Sequence, residues 1–253
     1  MNPFLSLQEF SYVPQDKLLI VYCSNTPTPP EKFIPRSHFF HVSDNAEVFS
    51  STCSSLEIDE DKTIVCYDKG DLNYACKAYW GFKATGHDDV KVLLGGVKNC
   101  ERFKINIVTG VIPEIRKGEF PSLPFNEAVA MTFQQFVHKE AFQEQVLEAK
   151  KWNVEITDKN GEILSQNVLV KILKENEVDY KPNKMTIVHG KSAFLVGLIL
   201  NFLGERTISV VIEDTTGFVS AKKNRTTAEY TKKVEPRKVE EQSSRICSGC
   251  EIF

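Results

Sequence analysis

The sequence predicts an α/β protein of two domains, each a parallel β-sheet flanked by helices. Residues 64–94 read as strand, loop, helix and strand, residues 185–204 repeat the strand–loop–helix part of that order, and a proline-rich charged stretch separates the two. A strand–helix–strand unit of this length needs a crossover connection, which makes its strands parallel and puts helices on the sheet faces. With 253 residues, 42% of them hydrophobic and 26% charged, the chain is long enough to bury two small cores.

The β-branched run Ile64-Val65-Cys66-Tyr67 reads as a buried strand that stops at the turn formers Asp68, Lys69, Gly70 and Asp71. From Tyr74, the spacing of Ala75, Ala78, Tyr79, Phe82 and Lys83 predicts a helix closed by Gly86. Val90, Val92, Leu93 and Leu94 give the next strand. In the second half, Val168 to Asn176 is amphipathic and Met185-Thr186-Ile187-Val188 reads as a strand. His189, Gly190, Lys191, Ser192 and Ala193 then lead into a helix that ends at Leu203-Gly204. The expected division is a first domain over 1–112, a linker over 113–124, a second domain over 125–222 and a charged, disordered tail over 223–253.

A loop that enters a helix N-terminus gathers backbone N–H groups and the positive end of the helix dipole, so the loop after Tyr67 suits a thiolate, a persulfide or an oxyanion. At this point the tract YDKGDLNYACKAYWGFKATGHDDVKVLLGGVKNC resembles the first domain of the tandem rhodanese family, the thiosulfate and 3-mercaptopyruvate sulfurtransferases. Tyr67, Asp68, Gly70, Ala75, Trp80, Gly86, His87, Gly95 and Gly96 follow that family's order. Tyr79 stands in place of its first Trp, and Cys100 where it usually has an aromatic. Upstream, Phe33-Ile34-Pro35-Arg36-Ser37-His38 is similar to the family's His-Ile-Pro-Gly-Ala motif and keeps the Ile-Pro. In the second half the family order leads to the catalytic cysteine, and here it leads to His189. The interval from Asp68 to Gly86 is 18 residues (86 − 68) and that from His189 to Gly204 is 15 (204 − 189), so the second loop is expected to be shortened.

The resemblance implies chemistry through a thiolate that takes up sulfane sulfur as a persulfide, which Asp68 and His189 cannot form. The expected function is therefore a sulfurtransferase-like protein without the catalytic cysteine, a binding or scaffolding module. The alternative is an active thiosulfate or 3-mercaptopyruvate sulfurtransferase with a relocated nucleophile. Cys66 and Cys76 are the candidates for that role. Cys66 is expected to be a core thiol turned away from Asp68. Cys76 lies in the first helical turn, where the dipole could lower its pKa, but no His or Arg stands beside it in sequence. His189 is open to three readings: an anion binder, a metal ligand, or a plain replacement of the lost side chain. No second ligand stands at metal spacing, so neither metal nor cofactor is expected. Trp80 reads as core packing. Phosphatase chemistry would need a cysteine followed by a loop ending in Arg, and no such tract is present.

The net charge of −3, with no basic stripe interleaved with aromatics, argues against a nucleic-acid partner. The first residues carry neither a secretory nor a mitochondrial pattern, so a cytoplasmic location is expected. Seven irregularly spaced cysteines read as reduced thiols. Asn224-Arg225-Thr226 matches a glycosylation sequon, a chance match without a secretory signal. The final Cys250-Glu251-Ile252-Phe253 fits a prenylation box, and Cys247 could take a palmitoyl group, which with nearby lysines and arginines would place the chain at a membrane. As free residues, Glu251-Ile252-Phe253 would instead suit a PDZ-type groove, and Cys247 with Cys250 lacks the second pair that a zinc site needs. The expected partner is a protein of unknown identity.

Overall fold

The computed structural model describes residues 2–56, 58, 62–115, 124–139, 145–152 and 154–212. Most of the expected linker and the whole tail, with Cys247, Cys250 and the sequon, lie outside the described residues.

Strand β1 (Phe4–Leu5) runs into helix α1 (Leu7–Tyr12), followed by β2 (Leu18–Ser24), β3 (Lys32–Phe33), β4 (His38–His41), α2 (Ala46–Ser54) and β5 (Thr63–Tyr67). Helix α3 (Asn73–Ala84), β6 (Val90–Leu93), α4 (Gly96–Cys100) and β7 (Val108–Thr109) complete the first half. The second half contains β8 (Ala130–Met131), α5 (Phe133–Lys139), β9 (Gln145–Glu148), α6 (Gln166–Glu175), β10 (Thr186–His189), α7 (Ala193–Phe202) and β11 (Ile208–Val211). The first sheet has the order β1-β6-β5-β2-β4 and the second β8-β11-β10-β9, with every neighbour pair in both parallel. Strands β3 and β7 form a separate antiparallel pair.

The two sheets share one plan. Central β5 pairs with β2 and β6, and central β10 pairs with β9 and β11; β1 and β8 take the same flanking place. Among the described residues the second sheet has no counterpart of β4. The repeat reaches down to side chains at the start of each half. In Phe4-Leu5-Ser6-Leu7-Gln8-Glu9-Phe10, the Glu9 backbone donates to Ser6 Oγ at 3.2 Å and the Ser6 backbone donates to Glu9 Oε2 at 2.9 Å. In Ala130-Met131-Thr132-Phe133-Gln134-Gln135-Phe136, the Gln135 backbone donates to Thr132 Oγ1 at 3.3 Å and the Thr132 backbone to Gln135 Oε1 at 2.7 Å. Each is a capping box that starts a helix directly after the outer strand.

Both sheets are covered by apolar helix faces, as parallel sheets require. Helix α3 buries Ala75, Cys76, Ala78, Tyr79, Trp80 and Phe82, and ends where Gly86 takes a φ of +90° with the His87 backbone donating to Phe82 O at 3.1 Å. Helix α7 is apolar along nearly its whole length, and α3 and α7 meet face to face. Trp80 Nε1 donates to the Phe194 carbonyl at 3.0 Å, and a Cβ on Gly197 would stand 2.8 Å from Val210 and 3.1 Å from the Trp80 ring. Glycine at 197 is therefore what lets the indole lie against α7. One apolar cluster runs from Phe4 and Phe49 through Trp80 to Leu198 and Val210, so the facing sides of the two halves share a core.

Candidate functional site

The loop between β5 and α3 is built around the Asp68 side chain. Asp68 is 1% exposed. Its Oδ1 accepts from the Gly70 and Leu72 backbones at 2.8 and 3.2 Å, and its Oδ2 from the Ala75 backbone at 3.2 Å. These inward-pointing amides make the loop an anion cradle in this fold, and the carboxylate of the loop's own first residue fills it. The conformation needs left-handed residues at Gly70 (φ +127°) and Leu72 (φ +63°). It also needs a bare residue at Gly96, because a Cβ there would lie 2.3 Å from the Asp68 carbonyl. The Val97 backbone donates to that carbonyl at 3.1 Å, tying the loop to the turn after β6. Burial, reinforced by the charge of Asp71, pushes the Asp68 carboxyl up to about 7 against the pull of the Gly70 and Ala75 amides.

Strand β5 sends its side chains to two different cores. Ile64 and Cys66 pack with α3, whereas Val65 and Tyr67 pack on the other face with Tyr22 and Leu93. The Tyr67 hydroxyl accepts from the Ile34 backbone at 3.0 Å and bonds Ser37 Oγ at 2.7 Å, which anchors the Ile34-Pro35-Arg36-Ser37 turn to the site. Cys66 was expected to turn away from Asp68, and this is corrected. It lies two positions earlier, so the alternation of the strand turns it to the α3 side, toward the same core as Cys76. Both thiols are fully buried. Burial and then the Asp68 charge push the Cys76 thiol well up, so the first turn of α3 does not activate it.

The second loop corrects the expected correspondence of His189 with Asp68. Val188 packs in the α7 core, as Cys66 does in the α3 core, while Ile187 lies on the opposite face and the His189 ring stacks on Phe136 of α5 at 5.1 Å. His189 thus occupies the place of Tyr67, and the residue at the place of Asp68 is Gly190. Gly190 has a φ of +100°, and a Cβ there would stand 2.5 Å from the Ala149 carbonyl. The loop is also short. Five residues separate β5 from α3 (73 − 67 − 1), but three separate β10 from α7 (193 − 189 − 1). Two contacts pin it to the chain after β9: the Ser192 backbone donates to Ala149 O at 3.2 Å, and the Trp152 backbone donates to Ser192 Oγ at 2.8 Å.

Between the loops lies a cleft of about 730 Å³, lined by Asp71, Tyr74 and Lys77 from one half and Trp152, Lys191 and Phe194 from the other. Lys77, which sequence reasoning passed over, is 5% exposed. Its ammonium donates to the Ser43 carbonyl at 2.9 Å, lies 3.8 Å from Asp44, and sits over the Phe49 and Phe194 rings at 5.2 and 5.7 Å. A lysine between Cys76 and Ala78 gives no sign in sequence that its stem is buried. Lys191 lines the cleft and is exposed. Lys69 is exposed on the other side of its loop, away from the cleft. Among the described residues, no group of three or more His, Cys, Asp or Glu is placed to hold a metal, and no helix is long and apolar enough to cross a membrane.

No protein-family profile matches the chain. The 3-mercaptopyruvate sulfurtransferase of Escherichia coli K12 is 26% identical over 121 residues, covering 47% of this chain and 43% of that protein. The chain thus matches under half the length of this relative. Among solved structures, the 3-mercaptopyruvate sulfotransferase SseA of Escherichia coli superposes with a TM-score of 0.62 at 18% identity, covering 85% of this chain and 99% of that one. The Tum1 protein of Saccharomyces cerevisiae superposes with a TM-score of 0.58 at 16% identity, covering 86% and 95%. The chain therefore has the rhodanese fold in tandem form, with a sequence that resembles the thiosulfate and 3-mercaptopyruvate sulfurtransferases.

Proposed function

We propose that this protein is a non-catalytic rhodanese, a rigid two-lobed body that binds a protein partner and does not transfer sulfur. The observation that carries this reading is the occupancy of the two loop positions. Asp68 fills one cradle with its own carboxylate, and the other position is Gly190, which has no side chain and no room for one. The relocated-nucleophile reading is opposed by the burial of Cys66 and Cys76, since a thiol that cannot meet solvent cannot meet thiosulfate. In this proposal the terminal Cys250-Glu251-Ile252-Phe253 serves as a prenyl attachment box that brings the cytoplasmic protein to a membrane.

The test is intact mass spectrometry of protein purified from its own cells, before and after exposure to mercaptopyruvate and to thiosulfate. No added sulfur is expected from either donor. Gain of a single cyanide-removable sulfur would overturn the proposal and direct attention to Cys66 and Cys76. The same spectrum reads the terminus: prenyl processing adds an isoprenoid to the Cys250 thiol and cleaves off the last three residues, and an unmodified C-terminus would remove the membrane part of the reading.

A further inference from the structure

A second cavity, of about 510 Å³, opens on the face of the first sheet away from α3, between the chain after β2, the loop that holds Lys69 and helix α4. It shares no lining residue with the interdomain cleft. Three lysines line it. Lys32 comes from β3, while Lys69 and Lys98 are held side by side because the Lys98 backbone donates to the Lys69 carbonyl at 3.1 Å. Among the described residues these three are exposed and have no acidic partner, in contrast to Lys77, Lys83, Lys150 and Lys171, which each pair with a carboxylate. Glu31 also lines the cavity, leaving an excess of two positive charges (3 − 1).

Tyr22 adds a neutral donor to the cavity wall. It lines the same cavity, is 2% exposed, and packs edge-on against Tyr67 at 5.2 Å, yet its hydroxyl has no hydrogen-bond partner among the described residues. The hydroxyl faces the cavity with its donor uncommitted, so an acceptor that enters can take its hydrogen bond. Burial, with Asp68 behind it, pushes the phenol up to about 12, which keeps the hydroxyl protonated and able to donate. The wall formed by Thr28-Pro29-Pro30 is stiffened by its prolines, and so the cavity is preformed.

We propose that this cavity binds a small molecule through an oxyanion group, a phosphate or sulfate ester, held by Lys32, Lys69 and Lys98 with the Tyr22 hydroxyl donating to it. The chemistry is that of an oxyanion site: compact cations with free donors neutralise the charge, and a fixed neutral donor orients it. The site is independent of whether the chain transfers sulfur.

The experiment is a titration of the full chain with inorganic phosphate and, separately, with inorganic sulfate at constant ionic strength, followed by amide and tyrosine NMR shifts. Saturable shifts at Gly70, Lys98 and Tyr22 are expected. Tyr22→Phe removes the donor, and Lys69→Ala with Lys98→Ala removes two cations; each is expected to weaken binding roughly tenfold or more. Lys150→Ala, on the second half, is expected to leave it unchanged. Because the second ionisation of inorganic phosphate lies at about pH 7, a little above that of a phosphate ester, phosphate binding should weaken from about pH 8 to about pH 5.5 while sulfate binding holds, which separates the two sources. Unsaturable shifts, or binding that survives both the Tyr22 and the double lysine variants, or loss of equal size in Lys150→Ala, would overturn the proposal. The two lysines are exposed, so the double variant keeps the test sound even if Tyr22→Phe disturbs the core.

Discussion

Replacing Asp68 by asparagine tests whether the first cradle is filled by an internal anion. The carboxyl is raised from 3.8 to about 7 in the fold. A raised acid binds its proton more tightly when folded, so its contribution to stability is fully present below pH 3.8 and is lost as the pH rises through about 7. Linkage for one such group gives a fall of about 2.5 kcal/mol between about pH 5 and about pH 8. Asparagine does not titrate. It keeps one carbonyl oxygen for the Gly70 and Leu72 amides but turns an NH₂ toward the Ala75 amide, a penalty of about 1–3 kcal/mol that is independent of pH. Urea unfolding of the wild type and Asp68→Asn at both pH values separates the two effects. The variant should be less stable at pH 5 and should lose less stability on going to pH 8, so the gap between the proteins narrows or reverses. Parallel pH profiles would refute the burial of a titrating carboxylate at this loop.

Gly190→Cys places a thiol where the fold's chemistry would need it, but the positive φ and the 2.5 Å approach to Ala149 O predict a loss of about 2 kcal/mol or more and no persulfide on exposure to mercaptopyruvate, read by urea unfolding and intact mass. Trp80→Ala empties the joint between α3 and α7 and should cost about 3–5 kcal/mol, with the calorimetric transition broadening or splitting as the halves uncouple. Arg36 is exposed with a φ of +63° in the turn that Tyr67 anchors, so Arg36→Gly should raise stability by up to about 1 kcal/mol in a thermal melt.

The β5–α3–β6 unit was legible because a β-branched run, a helical spacing and closing glycines at 86, 95 and 96 each carry a local signal that the packing then obeys. The second loop was legible only as to its shortness. Strand β10 is buried on both faces, so apolar periodicity could not say which side Val188 or His189 takes, and the Phe136 ring that settles it comes from a helix 53 residues earlier (189 − 136). Cys66 was misassigned through its distance to Asp68, which at two residues puts both on one side. The repeated capping boxes at Ser6–Glu9 and Thr132–Gln135 were readable and passed over. They are the best sequence marker that the chain starts its fold twice. The oxyanion cavity had no sequence signal, since Tyr22, Lys32, Lys69 and Lys98 come from four separate segments.

The contact of Trp80 with Phe194 and Gly197 has a consequence for how such a chain can change. A gene break between the halves would leave each with a bare apolar helix face, so neither could persist alone in solution without the other to cover it. The two lobes are therefore one folding unit, and a substitution in one lobe is judged by its fit to the other.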